Sequence, residues 1–94
     1  MSQSEVTPED VLARVAKYAA FIRISCHALK QMLARGARHG DVTRALKTSK
    51  SAVYRADEDT WRIEGGVDLD GDSLALAVAL KPSGDVVVTV FGKD

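Results

Sequence analysis

One cysteine stands in the 94-residue chain, Cys26, which excludes an internal disulfide framework. With His27 and His39 the only histidines, the chain lacks a zinc-binding set. No apolar run approaches the roughly 18 residues of a membrane-crossing helix, and Met1-Ser2-Gln3-Ser4-Glu5 lacks the charged and apolar parts of a signal peptide. No Gly-x-Ser-x-Gly elbow or Cys/His/Asp constellation points to acyl transfer. These absences predict a cytoplasmic chain, off the membrane, with no resident cofactor or metal.

What is present fits one small domain over residues 1–94: 46% of the chain is hydrophobic. A domain of this size buries only about 60 to 65% of its unfolded surface, so pairing with a second copy is a ready way to extend the core. Net charge is zero but unevenly placed. Residues 1–55 hold ten Lys/Arg against four Asp/Glu, whereas 56–94 hold three against nine, a polarity of +6 and −6. Two readings follow: separate patches for an anionic and a basic partner, or attraction between two layers of the fold or between two copies.

Thr7-Pro8-Glu9-Asp10 predicts a helix start, with Val11, Leu12, Val15, Ala16 and Ala19 forming its buried stripe over about 8–19. Phe21–Ile24 is either a brief strand or the tail of that helix. Ser25 caps a second helix over 26–35, closed by Gly36, with Cys26, Leu29, Met32 and Leu33 expected inside. Asp41 is expected to cap a third helix to about Lys47 that buries Val42, Ala45 and Leu46.

Beyond Lys50 the period changes to two. Strands are expected at 51–56, 60–69, 72–80 and 86–91, with an Asp70-Gly71 type I′ hairpin. The predicted class is α+β: two to three N-terminal helices packed on one face of a three- to four-stranded antiparallel meander. Leu74, Leu76, Val78 and Leu80 should meet the helices. The second face should carry Arg62, Glu64, Ala75, Ala77, Ala79, Val87, Thr89 and Phe91, as a binding surface or dimer interface.

Asp68-Leu69-Asp70-Gly71-Asp72 resembles a calcium loop at its start, but Ser73 and Ala79 stand where glycine and the last acid belong, so it reads as a turn. Gly65-Gly66 reads as a bulge or the close approach of another backbone. Cys26, Tyr54 and Trp61 read as core or interface residues. His27, one position inside its helix, shares a stripe with Gln31 and Arg35, where an imidazole beside a fixed cation has the chemistry of an acid or base.

Ser25-Cys26-His27-Ala28, Met32, Arg35-Gly36, Asp41-Val42, Leu46, Gly66-x-Asp68-Leu69-Asp70-Gly71 and Val88-Thr89-Val90-Phe91 together resemble the bacterial domain-of-unknown-function family 4258, over about residues 22–91. The resemblance implies a compact domain similar to the RelE and BrnT toxin-like fold, in which metal-independent ribonucleases recur beside antitoxin genes. Gln31 stands where the family tends to have arginine.

Two functions are therefore expected. A metal-independent endoribonuclease toxin would use His27 as acid or base, Arg35 and Arg62 as phosphate-binding cations, and Tyr54 or Thr89 as hydrogen-bonding partners; its partners would be RNA and an antitoxin. A non-catalytic module would use the alanine-lined face, or the charge polarity, to bind a protein or a second copy.

Overall fold

The computed structural model describes residues 6–92. The opening pentapeptide lies outside them. Helix α1 spans Pro8–Lys17, and Thr7 caps it by accepting the Asp10 N–H at 3.2 Å. The expected run to residue 19 instead tightens into a 3₁₀ turn at Ala19–Phe21. Strand β1 is the pair Arg23–Ile24, so both readings of that segment hold in part. Helix α2 is Cys26–Arg35, capped by Ser25 and ended at Gly36 in the left-handed region, as the sequence predicts. Helix α3 is His39–Thr48. Strands β2 (Ser51–Arg55), β3 (Thr60–Glu64), β4 (Ala75–Ala79) and β5 (Val86–Gly92) follow.

The class is α+β as expected, but the sheet differs. It has five strands in the order β1-β5-β4-β3-β2, and β1 lies parallel to β5. A short strand between α1 and α2 pairs with the last strand of the chain, a pairing invisible to local periodicity. The long hairpin expected over 60–80 is also shorter. Its middle, 65–74, leaves the ladder except for a Val67–Ser73 bridge, and the turn is Asp68–Gly71, closed by the Gly71 N–H donating to the Asp68 carbonyl. Gly71 takes φ +85° while Asp70 stays at negative φ, so this is not a type I′ turn.

One sheet face carries Ala52, Trp61, Ile63, Leu76, Val78, Val87 and Val90 into a core with Val11 and Val15 of α1, Ala28 and Met32 of α2, and Val42, Ala45 and Leu46 of α3. Leu74, Leu76, Val78 and Leu80 are buried there as expected. Val87 was expected on the opposite face; a register shift between Ala77–Thr89 and Val78–Val87 leaves Val88 as an extra residue and turns Val87 inward.

In α2 the predicted stripe holds only at Met32. Ala28 and Met32 are buried, whereas Leu29 and Leu33 are 48% and 76% exposed and Cys26 is exposed rather than a core cysteine. The helix lies along the edge of β5 and needs its polar stripe there, which rotates the apolar one outward.

Two cross-layer ion pairs link the basic first half to the acidic second: Arg14 to Asp85 through two bonds of 2.6 and 2.9 Å, and Arg38 to Asp70 at 3.7 Å. Attraction between layers thus accounts for part of the charge polarity.

Gly66 shows why 65–74 leaves the ladder. A Cβ placed there would lie 2.1 Å from the Ala45 carbonyl oxygen, so the strand extension and α3 touch backbone to backbone. Gly66→Ala should lower stability by about 3 kcal/mol, the upper range for overpacking, read as a fall in denaturation midpoint. An unchanged midpoint would contradict this account of the contact.

Candidate functional site

The sequence stripe His27, Gln31 and Arg35 runs along the β5 edge. Because β1 pairs only with Val86 and Val87, the rest of that edge has no strand beside it. Helix α2 supplies the missing partners. The Ser25 N–H donates to the Val87 carbonyl at 2.9 Å and its hydroxyl to the Val88 carbonyl at 3.3 Å. Further on, the Gln31 Oε1 accepts the Val90 N–H at 2.8 Å, and an Arg35 terminal nitrogen donates to the Val90 carbonyl at 3.1 Å. Two side chains thus do for Val90 what one residue of a neighbouring strand would do, offering one acceptor and one donor. Arginine has no acceptor, so glutamine at position 31 suits this bond where arginine would not.

On the face of the sheet away from the helices, Arg62 of β3 stands opposite Ala77 of β4, and Ala77 opposite Thr89 of β5. The Arg62 guanidinium reaches over the Phe91 ring, 4.1 Å from its centroid, and its Nε faces Glu64 at 3.6 Å. To get from β3 to β5 it passes above β4, where only alanines stand. Ala77 is 2% exposed and Ala79 is also buried, yet neither belongs to the core cluster. A cavity of about 560 Å³ opens beside this pair, lined by Arg62, Glu64, Ser73, Ala75 and Phe91.

The structure therefore brings Arg35 and Arg62 from two sides to residues 89–91 of β5, Thr89 among them. His27 is exposed one helical turn before Gln31. Tyr54 is not among them. Its register partner Trp61 points to the core, the two rings are 5.4 Å apart, and the Tyr54 hydroxyl donates to Asp59, a bond that raises its pKa.

A cluster that periodicity does not show lies at the other end of α3. Asp41, expected at the cap, sits at the third helical position instead and reaches back to accept the Arg38 N–H at 2.7 Å. It also accepts the Leu69 N–H at 3.0 Å, while the Arg38 guanidinium donates to the same carboxylate at 3.3 and 3.4 Å. These bonds, the Arg38 amide first, hold its pKa down to about 2. Asp68, fully buried, accepts the N–H groups of Asp70 and Asp72 at 2.9 and 3.0 Å.

Carboxylate oxygens of Asp41, Asp68 and Asp70 lie within 4.8 Å of one another, a spacing a cation would suit. Backbone amides and Arg38 already take up much of that acceptor capacity, which is the chemistry of a braced turn. The motif spacing Gly66-x-Asp68 and the pair Asp41-Val42 thus have structural work: contact with α3, closure of the turn and its attachment to the helix.

Two outcomes follow. Gln31→Arg should cost about 1 to 3 kcal/mol by orphaning the Val90 N–H, while Gln31→Glu, which keeps an acceptor, should lose much less in chemical denaturation. Equal losses would remove the acceptor argument. Because the folded Asp41 carboxyl titrates below its unfolded value near 4, its stabilisation is complete above that value and fades as pH falls toward 2. Asp41→Asn should therefore flatten stability against pH between about 5 and 2, and an unchanged slope would count against it.

No helix among the described residues is long and apolar enough to cross a membrane. No curated protein and no solved structure matches the chain. The family described as Domain of unknown function (DUF4258) matches residues 24–92, from β1 through β5 with α2 and α3 between them, and the chain belongs to that family.

Proposed function

We propose that this domain is a non-catalytic interaction module that presents the helix-free face of its sheet to a protein partner. The observation that carries the reading is the alanine row Ala75, Ala77 and Ala79. It is a recessed floor outside the core, bordered by Val53, Thr89 and the Arg62–Phe91 pair, with no helix of the described chain above it. A recess floored by small residues, with one stacked cation and one acid at its rim, has the make-up of a protein-binding surface.

The nuclease reading draws support from the meeting of Arg35, Arg62 and Thr89 at β5, with His27 nearby. Its chemistry needs an acid, a base and cations aimed at one phosphate. Here Arg35 bonds to a backbone carbonyl, Arg62 lies on Phe91 beside Glu64, and Tyr54 is turned to the other face. The module reading requires no change in these contacts. An antitoxin-like chain encoded beside the gene is the first partner to test.

Expression of the whole chain should leave growth and cellular RNA intact, with His27→Ala and Arg35→Ala indistinguishable from the parent. Growth arrest relieved by either substitution would establish the nuclease instead. Binding of the adjacent gene product, measured by calorimetry, should weaken at least about ten-fold in Phe91→Ala, the scale of one lost aromatic anchor. Binding unaffected by that change would move the surface elsewhere.

A further inference from the structure

The C-terminal end of α1, the 3₁₀ turn Ala19–Phe21 and the turn between β4 and β5 border a second cavity of about 560 Å³. It shares no residue with the recess on the helix-free face. Most of its wall, Arg14, Tyr18, Phe21, Ile22 and Arg23, precedes the stretch matched by the family. Two of the chain's five aromatic side chains stand here. Tyr54 and Trp61 pack together and Phe91 lies under Arg62, but Tyr18 is 47% and Phe21 83% exposed. A ring so bare adds little to the core and leaves its flat face to a partner.

The charge around these rings is of one sign. The acid of the wall, Asp85, is buried and accepts two bonds from Arg14, so that pair is neutral. Lys17, whose ammonium lies 5.3 Å from the Tyr18 ring centroid, and Arg23 remain. Lys81 stands in the β4–β5 turn, and α3, which packs on the 3₁₀ turn, carries exposed Arg44 and Lys47, while its acid Asp41 is buried and bonded to Arg38. The acids of α1, Glu9 and Asp10, occupy its first turn, at the far end. Arg23 is held in place: its N–H donates to the Asp85 carbonyl at 3.3 Å, and its Nη2 donates to the Gly84 carbonyl at 3.3 Å and the Ser83 hydroxyl at 3.5 Å. Among the described residues its Nε and Nη1 make no hydrogen bond.

We infer that this cavity binds a nucleotide unit, the base against Phe21 beside Tyr18 and the phosphate on the remaining donors of Arg23. Exposed rings recognise a flat base, and a positioned guanidinium recognises a phosphate. The cavity volume falls within the range of small-ligand sites, about 300 to 1,000 Å³. The unit arrives either free or as one link of a single strand. This inference does not rest on the reading of the helix-free face.

Calorimetric titration of the full chain should show AMP binding at least about ten-fold more tightly than adenosine, which lacks the phosphate. Phe21→Ala should weaken AMP at least about ten-fold, the scale of one lost base–aromatic stack, with an unchanged melting curve because the ring is exposed. Arg23→Gln should erase the preference for AMP over adenosine, a split that a merely structural loss would not produce. A single-stranded oligoadenylate separates the two sources: binding at least about ten-fold tighter than AMP and weakened by salt marks a strand, and anything less marks the free nucleotide. Absence of binding by both AMP and the oligoadenylate would overturn the inference. So would an AMP affinity untouched by Phe21→Ala, or a preference over adenosine that survives Arg23→Gln.

Discussion

The close passage of residues 65–69 along α3 sets the position of much else in the molecule. At Gly66 there is room for no side chain, because the Ala45 carbonyl occupies the place of a Cβ. Around that contact the polar groups are matched. The Thr48 hydroxyl accepts the Val67 N–H at 2.9 Å, Asp41 accepts the Leu69 N–H, and Asp68 closes the turn beyond. The seam therefore fastens a helix to a stretch of chain that has left the sheet, held at one end by the Thr48 hydroxyl and at the other by two buried carboxylates whose partners are mostly backbone amides. Such groups stabilise only as a complete set, since a buried acceptor or donor without its partner costs about 1 to 3 kcal/mol.

With α3 fixed there, α2 is carried to the far edge of the sheet, and its orientation is decided by polarity. A strand edge offers alternating donors and acceptors. A helix can satisfy them only through side chains of suitable chemistry, so Ser25, Gln31 and Arg35 face β5 and Leu29 and Leu33 are left in solvent. Two residues of the stripe with the features of a catalytic site, Gln31 and Arg35, thereby hold the strand edge. On the opposite sheet face, small residues on β4 allow Arg62 to extend across to Phe91, leaving a shallow recess rimmed by Arg62, Glu64, Ser73 and Phe91.

Family membership rests on residues 24–92, and the structure gives several of the residues behind the resemblance a mechanical purpose. Gly66 permits contact, Asp68 closes a turn, Asp41 joins that turn to a helix, and Arg35 binds a strand edge. None of these roles calls for a substrate. Among the described residues, His27 is exposed and makes no hydrogen bond or ion pair to this scaffold.

The local elements follow from neighbouring residues alone. Capping chemistry at Thr7 and Ser25, the glycine after Arg35 and the change of period after Lys50 depend on neighbours in the chain, and the helices and strands formed where those signals stand. The order of residues also settles which face of β4 enters the core, because Leu76 and Val78 alternate with alanines. Tertiary structure decided the rest. The parallel pairing of β1 with β5 joins residues some sixty positions apart, the bulge at Val88 reverses the facing of Val87, and the rotation of α2 answers to a strand edge that its own periodicity does not encode. The candidate site followed the same division: the residues were legible one by one, but whether Arg35 is free or bonded depends on a carbonyl contributed by the far end of the chain.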